Sequence, residues 1–120
     1  MPIQNWSENI VVADLQNDPL CTDDLNALIE QFNEKKDMDL VVDFSGVNYL
    51  NSSNIAKLLK LRKMIVLNHQ RKMVLCAINS HVWGVFLITG LERLFAFEDS
   101  VALGLTTIQI DAADSAADQS

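Results

Sequence analysis

The sequence predicts a single α/β domain: a mixed, largely parallel sheet of four or five strands with about four helices. Two observations carry this reading. Short β-branched runs alternate with segments of 3.6-residue apolar period, at spacings suited to right-handed crossovers between parallel strands. The chain has 120 residues, 49% of them hydrophobic, which is enough for one core and leaves no room for a second. The domain is expected over residues 1–110. Residues 111–120, "DAADSAADQS", hold no large hydrophobe and read as a disordered acidic tail.

The elements follow in order. "IQNWS" and "NIVVADL" are two short strands separated by a polar turn at Ser7–Asn9. Asn17, Asp18 and Pro19 form a turn cluster. Thr22 is expected to N-cap a helix over 22–35, with Asp23 and Asp24 in the first turn, where the helix dipole favours negative charge. Leu25, Leu28, Ile29 and Phe32 mark its packed face. "LVVDF", residues 40–44, is a strand buried on both faces.

A helix over 53–68 follows "SGVNYLNSSN". Phased from Ile55, its inward stripe is Ile55, Leu58, Leu59, Ile65 and Val66; its outer side is Lys57, Lys60, Leu61 and Met64. Arg62 falls near the middle of the inward stripe and needs a partner for its head. "KMVLCAI" is the next buried strand. "SHVWGVFLITG" is a short helix capped by Ser80 and closed by Gly90, and "RLFAF" a last strand. "DSVALGL" makes a final helical turn or two, with "TTIQI" running on as an extended piece.

The net charge of −7 argues against non-specific nucleic-acid binding. Its distribution says more. Residues 44–91 contain no carboxylate, yet hold Lys57, Lys60, Arg62, Lys63, Arg71 and Lys72. This basic segment inside an acidic chain is either a solvated helix face or a docking surface for an acidic partner. No apolar run approaches the ~20 residues of a membrane span, and "MPIQNWSENI" has no signal-peptide pattern. Cys21 and Cys76 form neither a zinc nor a CxxC pattern, so a reduced, cytoplasmic protein is expected. The histidines, His69 and His81, lack a second ligand at i+3 or i+4, and no P-loop or GxGxxG is present. No catalytic residue, metal site or cofactor is expected.

"LNSSN" raises the functional question. Ser52 or Ser53 suffices to N-cap the helix. Two serines between two asparagines exceed that need, and a helix N-terminus also suits a phosphate. "LVVDFSGVNYLNSSNIAKLLKLRK", "RKMVLCAIN" and "LITGLERLFAFEDSVALGL" resemble, in order and spacing, the sulfate-transporter and anti-sigma-factor-antagonist (STAS) family. The family pattern is a strand ending in Asp, a loop with Asp-Ser-Ser-Gly or Asp-Ser-Thr-Gly, and an amphipathic helix. A Gly-Leu pair then precedes the last strand, and Asp-Ser opens the last helix.

The resemblance implies a non-enzymatic regulatory binding protein that binds a serine-kinase-type anti-sigma factor. In that family the kinase phosphorylates the motif serine, which abolishes binding, and a phosphatase restores it. The phosphoacceptor position matches Ser52, with Ser53 less favoured and closer to a capping role. The partner-binding set is Asn51, Ser52, Asn54, Lys57, Lys60, Leu61 and Met64. Two positions depart from the pattern: Asn51 stands where the family has Asp, and Asn54 where it has Gly. Those departures keep a second reading open, a STAS scaffold or transporter-accessory module that is not phosphorylated. Neither reading requires membrane insertion, and both leave self-association open.

Overall fold

The computed structural model describes the backbone of residues 3–118 and the side chains of residues 3–110. Strands β1 (Ile3–Ser7) and β2 (Ile10–Gln16) form an antiparallel hairpin. Helix α1 (Leu20–Glu34), strand β3 (Asp39–Gly46) and helix α2 (Ser52–Arg62) follow. A π-helical turn, Lys63–Leu67, prolongs α2. Then come β4 (Met73–Cys76), α3 (Ser80–Thr89), a 3-10 turn (Leu91–Arg93), β5 (Ala96–Glu98) and α4 (Val101–Asp118).

The five strands lie side by side in chain order, and β2 to β5 are parallel. Because each crossover steps the same way across the sheet and is right-handed, α1, α2 and α3 must all land on one face. The period-2 alternation of β3 then sorts its side chains. Leu40, Val42 and Phe44 join Leu25, Leu28, Phe32, Leu58, Leu61, Ile65, Val82 and Phe86 in the main core. Val41 points to the other face, where it meets Val74, Cys76 and Ile108 of α4. The expected α/β architecture is thus observed, with five strands and four α-helices among the described residues.

α4 packs closely enough that only glycine fits at one point. A Cβ on Gly104 would lie 2.7 Å from Cys76 Sγ. At the end of α3, Gly90 takes the left-handed conformation (φ 74°) that ends the helix. Asp39, nearly buried, is held by Arg71 (3.1 Å) and the Lys72 amide (2.8 Å).

Several expectations need correction. Thr22 is not the N-cap of α1, which starts at Leu20. The Asp18 carboxylate accepts the Thr22 amide (2.9 Å) and hydroxyl (2.7 Å), so Thr22 sits inside the first turn. Ser80 is not the cap of α3. Asn79 is, accepting the Val82 amide at 2.8 Å. "TTIQI" is not extended but the middle of α4. The helical backbone continues past Ile110 to Asp118, into the stretch expected to be disordered; residues 119 and 120 lie outside the described residues. The inward stripe of α2 is Asn54, Leu58 and Leu61, with Ile65 in the π-helical turn. Its phase is rotated from that expected, so Leu61 is fully buried while Ile55 and Leu59 are half-exposed. Arg62 turns its head to the Leu94 carbonyl, which resolves its position near the stripe.

Candidate partner-docking site

The loops at the C-terminal ends of the parallel strands are tied to one another by asparagines. Asn17, in the β2–α1 loop, accepts the Asn48 amide of the β3–α2 loop at 2.8 Å. Asn79, at the start of α3, donates to the Val47 carbonyl at 3.1 Å. Between these ties sits the start of α2.

Asn51 is its N-cap, and with Asn54 it forms a reciprocal capping box. The Asn51 side chain accepts the Asn54 amide (2.8 Å), and the Asn54 side chain accepts the Asn51 amide (3.1 Å). Each asparagine also turns its NH2 group toward Asp18. Asn51 Nδ2 donates to one carboxylate oxygen at 2.6 Å, and Asn54 Nδ2 to the other at 3.3 Å and to Thr22 Oγ1 at 3.2 Å. Asn54 is 1% exposed, and these bonds satisfy its buried amide. Hydrogen bonds from the Thr22 side chain first, then from the Thr22 backbone, Asn54 and Asn51, outweigh partial burial. They hold the Asp18 carboxyl below the usual carboxylate range.

The cluster fixes the orientation of the serines. Ser52 and Ser53 occupy the first turn of α2 and are exposed. Ser53 Oγ accepts from Lys57 Nζ at 3.0 Å, one turn on. The Ser52 hydroxyl makes no hydrogen bond among the described residues. Neither serine caps the helix, because the asparagine before them does. The expected capping role of Ser53 is therefore corrected.

The proposed docking set divides. Asn51, Ser52 and Lys60 are exposed and Lys57 half-buried, all along the outer edge of α2. Asn54 and Leu61 are buried and cannot offer a free contact surface, whereas Met64, half-buried like Lys57, packs partly against the main core. Sequence reasoning missed Asp18 as part of the site. The signal was available in the Cys21, Leu25, Leu28, Phe32 spacing, which starts α1 early enough to put Asp18 at its mouth. Tyr49, in the β3–α2 loop, and Leu20, two residues after Asp18, are large apolar residues 46% and 54% exposed. Both flank the Asp18–Asn51 tie along the chain.

Reactive chemistry has little support here. Burial first, then the Asp43 and Glu98 carboxylates, pushes the Cys76 thiol up to about 12; burial, Asp18 and Asp24 push Cys21 up to about 11. Both are buried free thiols. Among the described residues no group of three or more His, Cys, Asp or Glu side chains is placed to hold a metal ion. None of their helices is long and apolar enough to cross a membrane.

A family model described as the STAS domain matches residues 14–104. In three dimensions the chain is similar to a candidate anti-sigma factor antagonist from Thermotoga maritima (TM-score 0.76, 14% identity, 90% of this chain and 93% of that one). It is similar to an anti-sigma-factor antagonist (STAS) domain protein from Planctomyces limnophilus (TM-score 0.73, 15% identity, 83% and 91%). It is also similar to a serine-to-glutamate variant of RsbS from Moorella thermoacetica (TM-score 0.73, 18% identity, 93% and 99%). At these identities the likeness carries the fold alone. No curated protein matches the chain in sequence.

Proposed function

The chain belongs to the STAS domain family, and from that premise we propose that it is a non-enzymatic regulatory binding protein of the anti-sigma-factor-antagonist kind. Its partner is a serine-kinase-type anti-sigma factor, with Ser52 the residue that the kinase modifies and a phosphatase restores. One observation carries the reading: Ser52 is exposed, its hydroxyl unbonded, at the positive end of α2, about two turns before the exposed Lys60. A phosphate there would add roughly −1.5 to −2 charges at the start of a helix whose own charged side chains, Lys57, Lys60 and Arg62, are all cationic. The similarity in fold to anti-sigma-factor antagonists supports the same reading.

A second reading, a scaffold or transporter-accessory STAS module that is never phosphorylated, draws on a different observation. Asp18 already places a carboxylate against Asn51, next to Ser52. A kinase must then bring phosphate toward a standing negative charge.

Capture of partners from the native host on the immobilised protein, with mass spectrometry of partner and phosphosites, separates the two. A kinase-like protein on the wild type, lost on Ser52→Asp, together with phosphate on Ser52, supports the first reading. Transport components captured equally by both forms, with Ser52 unmodified, overturn it.

A further inference from the structure

Helix α3 presents an apolar face that nothing among the described residues covers. From His81 to Ile88 it carries no lysine, arginine or carboxylate, so no polar stripe exists to turn toward water. Val82 and Phe86 enter the core. Ile88 is left 89% exposed, Leu87 49% and Trp83 36%. Between them, a Cβ placed on Gly84 would meet nothing within 4 Å, so a neighbouring helix can approach closely there. Such a run of aliphatic surface on a small domain marks a contact site.

The charges at the two ends of this face identify what covers it. Beside the start of α3 lies a cleft of about 340 Å³ whose lining includes Trp83, Phe97, Glu98 and Asp99. Trp83 stands edge-on to Phe97 at 4.9 Å, and Glu98 is steadied by the Thr107 hydroxyl at 2.9 Å. An aromatic ring with two carboxylates suits a guanidinium. Just past the other end of α3, in the 3-10 turn, stands Arg93, the sole lysine or arginine after Lys72 in the chain. Its side chain is 87% exposed, and its approach to Glu92 is a loose 3.7 Å. A surface pair of that kind contributes little and is readily exchanged.

The acidic cleft and the cation are thus separated by the length of α3, roughly 15 Å for ten residues. We propose that a second copy of this chain covers the face, with the two α3 helices antiparallel about a two-fold axis near Gly84 and Leu87. That arrangement buries Leu87 and Ile88 of both copies against each other. It also carries each Arg93 to the other copy's Trp83, Glu98 and Asp99, so both charged ends are satisfied at once, as an isologous interface requires.

Sedimentation velocity on the protein alone, over a range of concentrations, tests the arrangement without reference to any regulatory partner. The wild type should show a monomer–dimer equilibrium, and Ile88→Asp should remain monomeric with an unchanged circular dichroism spectrum. Arg93→Glu should weaken the dimer by ~10-fold or more, and Arg93→Glu combined with Asp99→Arg should restore it, since the pair is reversed in both copies. A wild type that stays monomeric at every concentration overturns the proposal. A dimer indifferent to Ile88→Asp, or a charge reversal that fails to restore association, overturns it equally.

Discussion

The Asn51 side chain donates to the Asp18 carboxylate at 2.6 Å across 33 residues of chain, joining the mouth of α1 to the mouth of α2. The carboxylate beside Ser52 therefore comes from a different loop than the one carrying the serine. Asn51 and Asn54, the two departures from the family pattern, are the residues that receive it. Asparagine suits both positions because its oxygen can cap α2 while its NH2 group reaches Asp18; aspartate at either place would face the Asp18 charge.

The capping box makes the first prediction. Asn51→Ala should destabilise the domain by ~1–2 kcal/mol through loss of the cap and of the tie to Asp18. Asn54→Gly, which restores the family residue, should cost ~2–3 kcal/mol, because it removes the buried amide and adds a flexible residue to the first turn. Ser53→Ala should stay within ~0.5 kcal/mol, since its hydroxyl is at the surface and only meets the Lys57 ammonium. Urea midpoints for the three variants check the ranking. A cost for Ser53→Ala as large as for Asn51→Ala would contradict it.

Acid titration supplies the second. The folded Asp18 carboxyl lies below its ordinary value, so its contribution is present above the unfolded carboxyl pKa of ~3.9 and is lost as pH falls through the folded value. Asp18→Asn keeps the shape and removes the charge. Wild type should be the more stable at neutral pH, and the difference should narrow below about pH 4. A difference that stays constant down the acid limb would mean that the bonds from Thr22, Asn51 and Asn54 do not depend on the charge.

The contact between α4 and the sheet supplies the third. Gly104→Ala places a methyl where Cys76 Sγ would be 2.7 Å away and Val41 Cγ1 3.4 Å, so the helix must lift or the sulfur move. Overpacking of this kind costs ~1–3 kcal/mol. Cys76→Ala removes the sulfur and should make Gly104→Ala less costly, giving a favourable coupling in a double-mutant cycle by thermal or urea melts. Additive effects would show that the two residues do not compete for the same space.

The misreadings of the sequence have specific causes. The strands and the order of elements were legible because β-branched runs and amphipathic helices carry opposite periods. The caps were not: Asn51–Ser52 and Asn79–Ser80 each pair two good capping residues, and only the observed bonds to the amides of Asn54 and Val82 decide between them. The phase of α2 was lost because its stripe begins with Asn54, a buried polar residue that a hydrophobic count passes over. That error placed Leu61 on the docking surface. "TTIQI" reads as a strand by local preference, but Ile108 completes the core beneath α4, and packing outweighs the β-branched residues.

The continuation of α4 beyond Ile110 supplies the fourth prediction. Residues 111–120 contain no large apolar side chain, so the sequence offers this stretch little to bury. Ending the chain after Ile110 should leave the urea midpoint nearly unchanged, with the domain boundary between 110 and 111. A loss of several kcal/mol would show that this part of the helix packs on the domain.

The final prediction separates stability from binding at Ser52. Ser52→Asp introduces an anion in the first turn of α2, where the helix dipole favours it, but also near the Asp18 carboxylate that Asn51 holds. These effects oppose one another, and the residue is exposed, so the midpoint should shift by no more than ~0.5 kcal/mol. Binding to the captured partner should fall sharply, because the new charge sits in the proposed contact loop. Lys60→Glu, on the same exposed edge of α2, should weaken binding with equally little effect on folding. Leu61→Ala is the contrasting case: this fully buried leucine should cost ~2–5 kcal/mol of stability without belonging to the contact surface. Parallel urea melts and titrations against the partner distinguish the three. If Ser52→Asp and Lys60→Glu both bind as tightly as the wild type, the docking surface lies away from the α2 edge, and the serines do no more than begin a helix that Asn51 caps.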